Sequence, residues 1–321
     1  MSGALAEAAA PERAEDSGLV MSARLKAVPA AGRAASPVDA VAAVLSLPDE
    51  QLDYARAKIA FDRIVDPTVD EDAVLAELDG LERAVRAFAG IDADGGAKLG
   101  AIRKLLHESG PWNDHRPFSY DQSDPLGHHI PNKLLHVYLG KRRGQCVSMP
   151  VLFLILGDRL GLDVALATAP EHFFVRYTGP DGRVLNLETT SGGHPARAEW
   201  FRKHLPMTDL AIESGLYMRS LSRREGVALM ATTVAEHLRE EGRYEELIAV
   251  CGLIRESDPR AGMAMLMQSW AYGTLLQREF ERKYPVSCLV PERLRARRLL
   301  LMERNNSLME AAVALGWQPA D

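Results

Sequence analysis

The chain has 321 residues, 47 % of them hydrophobic and 26 % charged, enough to bury a sizeable core in one large domain or two modest ones. Its formal net charge of −6 speaks against general nucleic-acid binding, which needs a basic face, and no apolar run approaches the length of a bilayer span. Cys146, Cys251 and Cys288 are irregularly spaced and make neither a disulfide framework nor a paired set of metal ligands.

Residues 1–36 are too rich in Ala, Gly and Pro to bury much and read as a disordered tail. They lack the apolar stretch of a secretory signal, and Glu7, Glu12, Glu15 and Asp16 fit a transit peptide badly, so the cytoplasm is the expected compartment. A start at Met21 would instead leave a basic leader. From Pro37 a helical cap begins and runs to about residue 100. Val38, Val41, Val44 and Leu45 recur at helical spacing, and Pro48 ends the run. Helices follow over 52–64 and 70–89, the second striped by Val74, Leu75, Leu78, Leu81 and Val85. Gly95-Gly96 punctuates before another helix, from Ala97 to about Glu108.

The stretch Ser109 to Ile130, rich in Pro, Gly, Asp, His and aromatics, reads as a long ordered loop, and loops of that length in compact domains often have a function. Within it, His128-His129 reads as two loop histidines rather than as metal ligands. A helix over Leu134–Leu139 closes at Lys141-Arg142-Arg143-Gly144, a solvated basic end from which Arg142 or Arg143 could pair with Glu188 or a substrate carboxylate. The next helix is apolar almost all round and therefore central; Pro150 puts its start within about a turn of Cys146, and Gly161 ends it. Strands are predicted over 163–168, 172–177 and 183–188, the last two joined through Gly179-Pro180-Asp181-Gly182 as a hairpin with Gly179 opposite Arg183. The C-terminal third is helical. Residues 228–260 fit one tetratricopeptide-like pair, with Ala235 at the small position, Gly242-Arg243-Tyr244 at the turn and Asp258-Pro259 at the end. One such unit cannot bury its apolar face alone, so it is expected to dock on the core as an annex.

A thiol attacks as thiolate, and a helix start favours that anion through its free N–H groups and dipole. Cys146 alone among the three cysteines opens a buried helix; Cys251 falls mid-helix, where a small apolar residue belongs. The base should be a histidine near in space, and His172 opens a strand. The hairpin register sets His172 opposite Thr190 and diagonal to Glu188, about 7–8 Å away at the Cα and within reach of a long side chain. Glu188 is thus the candidate to orient the imidazole, with Asn186 one rung further as reserve. Phe173, Val175, Tyr177, Leu185 and Leu187 share the face turned to the core, while His172, Arg176, Asn186 and Glu188 share a more polar face with Phe174.

The order helix-start Cys, strand His, strand acid resembles the transglutaminase-like superfamily, and more narrowly its SirB type. The matching stretches are Arg142-Arg143-Gly144-Gln145-Cys146-Val147-Ser148, the helix ending Asp158-Arg159-Leu160-Gly161-Leu162, and Pro170-Glu171-His172-Phe173-Phe174-Val175-Arg176. The resemblance implies an α+β fold: a papain/transglutaminase-like core over 101–205 with a small antiparallel sheet, between a helical cap (37–100) and a helical annex (206–321). It departs in offering Glu188-Thr189 where the superfamily usually has Asp, often followed by Pro. The papain analogy implies an oxyanion hole built from the Cys146 N–H and an upstream side chain, Gln145 or Asn132. The function implied is thiol hydrolysis of a peptide or protein amide through a Cys146 thioester, with no cofactor and no metal. Many proteins of the SirB type lack the cysteine, so the rival expectation is a non-catalytic interaction protein on the same core. Either way the expected partner is a peptide or protein, not nucleic acid or a membrane.

Overall fold

Ser36, Asp53, Asp70 and Asp94 each stand just before a helix and accept a hydrogen bond from the backbone N–H three residues on. They start α1 (Pro37–Leu45), α2 (Tyr54–Val65), α3 (Glu71–Ala89) and α4 (Gly95–His107) in a computed structural model that describes residues 36–319. Gly95 and Gly96 therefore open the fourth helix instead of merely preceding it, because Asp94 supplies the cap. The tail expected over 1–36 lies outside the described residues, apart from Ser36. On α2, the wholly buried Lys58 and Asp62 pair at 2.5 Å. The other oxygen of Asp62 accepts the N–H of Leu135 at 2.7 Å, fixing the start of α5 (Leu135–Lys141).

The core follows in the order β1 (Ser119–Tyr120), α5 (Leu135–Lys141), β2 (Arg143–Gly144), α6 (Ser148–Arg159), β3 (Val164–Ala169), β4 (His172–Thr178), β5 (Val184–Glu188), β6 (His194–Ala196) and α7 (Ala198–His204). Helix α6 is buried from Ser148 to Gly157, as its all-round apolarity predicts. It packs against β3 and β4 of an antiparallel meander ordered β3-β4-β5-β6. The β4–β5 register is the expected one: Arg176 faces Asn186, Thr178 faces Val184, and the Gly179 N–H bonds the Arg183 carbonyl at 2.8 Å with Gly182 at φ +76°.

Four expectations need correction. The ladder stops at Val175–Leu187, so Thr190 does not sit opposite His172; the chain turns into a tight helical turn over Thr189–Ser191. Leu185 is 39 % exposed: like its neighbour Val184, 41 % exposed, it lies close to the Gly179–Arg183 turn. The polar face is not open: α7 lays Phe201 across it, 4.4 Å from Phe174 between ring centres, and with Ala167 and Ala169 these form a second small core. Finally, Arg143-Gly144 is not just a helix end, since it pairs in parallel with Ser119-Tyr120.

The C-terminal part comprises α8 (Asp209–Glu213), α9 (Arg223–Met230), α10 (Thr232–Glu240), α11 (Tyr244–Ser257), α12 (Gly262–Leu276) and α13 (Glu292–Ala314). A break at Ala231 splits the helix expected from residue 228, and Gly242-Arg243 forms the next turn, with Gly242 at φ +69°. One apolar cluster runs without interruption from Val41 and Phe61 through Phe153 and Leu166 to Val227, Leu247, Cys251 and Ala271, so the described residues make one compact unit. Leu247, Ile254 and Met267 join that cluster, whereas Met265 packs with Leu308 and Ala312 of α13. Arg223 clamps the assembly: it bonds both carboxylate oxygens of Asp158 at the end of α6 and lies over the Tyr54 ring at 4.5 Å.

Candidate active site

Cys146 immediately precedes the residue that caps α6, and the backbone around it is held from three sides. The buried Ser148 hydroxyl accepts the Gln145 N–H at 3.0 Å and donates to the Asn132 carbonyl at 2.9 Å. Gly144 is needed by close approach: a Cβ there would stand 2.4 Å from the Tyr138 ring and 2.5 Å from the Ser148 hydroxyl. The parallel pairing of β1 with β2 then lays Tyr120 beside Gly144. These ties leave the Cys146 side chain half-buried at the head of a buried helix, where unpaired N–H groups favour an anion.

His172 enters from the β3–β4 hairpin, whose two-residue loop is Pro170-Glu171, with Glu171 in the left-handed region at φ +53°. The thiol of Cys146 donates a long hydrogen bond to the Glu171 carbonyl, 3.7 Å, while its sulfur neighbours the His172 ring. On the ring's other side His172 Nε2 meets Glu188 Oε2 at 2.7 Å. Glu188 is 3 % exposed, and its second oxygen accepts the Thr190 N–H at 2.9 Å and the Thr190 hydroxyl at 2.5 Å. Burial alone would raise the Glu188 pKa, but the His172 bond and charge and the two Thr190 bonds outweigh it and hold the group below its usual range. For His172 burial likewise works against charge, yet bonds to Cys146 and Glu188 push its pKa up to about 9. The ring is therefore an imidazolium at neutral pH, with Nε2–H on the carboxylate and Nδ1 left for the sulfur.

The remaining sequence candidates lie elsewhere. Asn186 faces Arg176 across the ladder and is not the ring's partner. Gln145, wholly buried, donates to the Asp124 carbonyl at 2.5 Å, and Asn132 donates to the Asp124 carboxylate at 3.0 Å. Both expected oxyanion donors are thus spent on bracing the loop. His128 and His129 give their backbone N–H groups to that same carboxylate, at 2.8 and 3.1 Å. Arg142 is turned to the Asn113 and Arg116 carbonyls and lies over the Phe118 ring, so it does not reach Glu188.

Two residues beside the site escaped the sequence reading. Thr190 could have been found from its place two residues after the acid, where a hydroxyl folds back on a carboxylate. Tyr120 could not, because only the β1–β2 pairing carries it there. Burial first, then the charges of Cys146, Asp124 and Glu188, push the Tyr120 pKa up to about 12, so its hydroxyl stays a donor; it is given to the Pro125 carbonyl at 3.1 Å. Tyr120 and Thr190, with Met149, Arg143 and Gly192, line a cleft of about 520 Å³ alongside the site.

The comparisons agree with this geometry at the level of family. Residues 72–208, from α3 to the residue before α8, match the family model described as the transglutaminase-like superfamily. No curated protein and no solved structure matches the chain. Among the described residues, no helix is long and apolar enough to cross a membrane.

Proposed function

We propose that the protein is a cytoplasmic thiol hydrolase acting on a peptide or protein amide, with Cys146 as nucleophile, His172 as proton carrier and Glu188 as the group that orients it. The observation that carries this reading is one ring with two partners: Glu188 on Nε2 at 2.7 Å and the Cys146 sulfur as its neighbour at the helix start. In the first half-reaction the sulfur bonds the amide carbon, the C–N bond breaks, and the imidazolium proton leaves with the amine. In the second, water bonds the same carbon, His172 takes one of its protons, and the S–C bond breaks to return the thiolate beside the imidazolium and a carboxylic acid. The Cys146 N–H supplies one donor to the oxyanion. We further read the domain as of the SirB type, and α10 with α11 as a tetratricopeptide-like pair that braces it.

The test uses the full chain with exposed Cys288→Ser, so that Cys146 reports alone beside the buried Cys251. Cys146 should react with iodoacetamide at pH 7 at least about tenfold faster than in the denatured protein, and His172→Ala should abolish that advantage. Equal rates in folded and denatured protein would overturn the proposal.

A second reading, a non-catalytic interaction protein on the same core, is favoured by one feature. Gln145 and Asn132 are both committed to the loop, leaving no side-chain donor preset for an oxyanion among the expected candidates. Under that reading the His172–Glu188 pair is structural, and Cys146→Ala would leave partner binding unchanged.

A further inference from the structure

The cleft beside the site does not end at Arg143. Ser119, Asp121 and Arg143 also line a second hollow of about 620 Å³, whose other walls are Arg116, Pro117, Lys141 and Arg142. Four cations and one carboxylate thus converge from two separate segments of a chain whose formal net charge is −6. The carboxylate, Asp121, is already engaged: its Oδ1 accepts the Ser123 N–H at 3.0 Å and the Ser123 hydroxyl at 2.5 Å. Arg142 is occupied by the Asn113 and Arg116 carbonyls. Arg116, Lys141 and Arg143 are exposed, and none takes part in an ion pair among the described residues. A solvated helix end would explain Lys141, but not Arg116, which the loop brings to the same hollow from 25 residues upstream of Lys141. A groove lined by one sign of charge concentrates ligands of the other sign.

Arg143 lies three residues before Cys146, at most about 10 Å along the chain, the reach of about three extended residues. We propose that this basic cleft binds an acidic segment of the peptide substrate, so that Cys146 acts on an amide flanked within about three residues by Asp or Glu. The proposal rests on the thiol-hydrolase reading for its chemistry, but the cleft can be probed without it.

Two measurements on the full chain carrying Cys288→Ser separate the two claims. The first compares the rates at which Cys146 is modified by an anionic and a cationic methanethiosulfonate, each normalised to a free thiol. The anionic reagent should be favoured about tenfold at low salt. The preference should collapse at high salt and in an Arg116→Gln/Arg143→Gln variant, whose helix N-terminus is unchanged. The second measures binding of two dansyl octapeptides, one Glu-rich and one with Gln in place of Glu, to the additional Cys146→Ala variant. The Glu peptide should bind at least about tenfold tighter, again lost with the two arginines. A reactive Cys146 with no charge preference, and equal binding of both peptides, overturns the cleft proposal and leaves the thiol reading standing. An inert Cys146 with selective binding of the Glu peptide overturns the thiol reading and leaves the cleft as a docking site for acidic peptides.

Discussion

His172 is charged in spite of its surroundings, since burial disfavours the imidazolium and only Glu188 and Cys146 restore it. Its pKa is raised from 6.5 to about 9, so the stability it contributes is complete below pH 6.5 and is lost as the pH rises through 9. The pKa of Glu188 is lowered from 4.5, so its share is present above pH 4.5 and is lost as the pH falls through the depressed value. The pair therefore supports the fold most between pH 4.5 and 6.5. Glu188→Gln keeps an acceptor for Thr190 but removes the charge. Its melting temperature should fall furthest below that of the parent in this window, and the gap should narrow by about pH 9.5 in thermal melts. If the protein is the hydrolase proposed, the same variant should lose about a hundredfold or more in kcat while remaining folded. Glu188 was legible because a hairpin register follows from its turn, and Pro180-Asp181-Gly182 fixed the turn. Tyr120 was not legible, because nothing in a two-residue strand announces its partner.

At the scale of elements, polar ties between distant helices do what apolar packing cannot, which is to fix relative position. The deepest of these runs from Asp62, paired with Lys58 on α2, to the Leu135 N–H at the start of α5, and burial raises the Asp62 pKa against the pull of Lys58. Lys58→Met would leave the carboxylate buried without its cation. The expected cost at pH 7 is about 3–5 kcal/mol, falling as the pH is lowered and Asp62 takes up a proton; chemical denaturation across a pH series measures it. Most helices were legible from their apolar stripes and their Pro and Gly stops, and α6 from its unbroken apolarity. What escaped was coverage from elsewhere in the chain. The strand face carrying Phe174 and Arg176 looks polar by alternation, yet α7 arrives from residues 198–204 to bury its centre. Alternation along one strand cannot report a helix that comes later.

At the scale of the molecule, the apolar cluster joins α1 and α2 to α9, α10 and α11, with the core between them. Ending the chain at residue 222 would strip Val227, Val234, Leu247 and Val250 from contact with the rest of that cluster. The truncated protein should aggregate or melt without cooperativity, as followed by circular dichroism and sedimentation. Ending it at residue 290 removes the partners of Met265 but leaves the main cluster intact, so a cooperative melt at lower temperature is expected.

The meander β3-β4-β5 also bears on the order in which the molecule is built. Cys146, His172 and Glu188 lie close together in sequence, and each strand of the meander pairs with its immediate successor. Closing such local loops costs little entropy, and contacts of this kind form early. Joining α1 to α11 spans some two hundred residues and must come late. During synthesis the site can therefore assemble while α9 to α13 are still inside or ahead of the ribosome, so the thiol meets its histidine before the protein has closed around them.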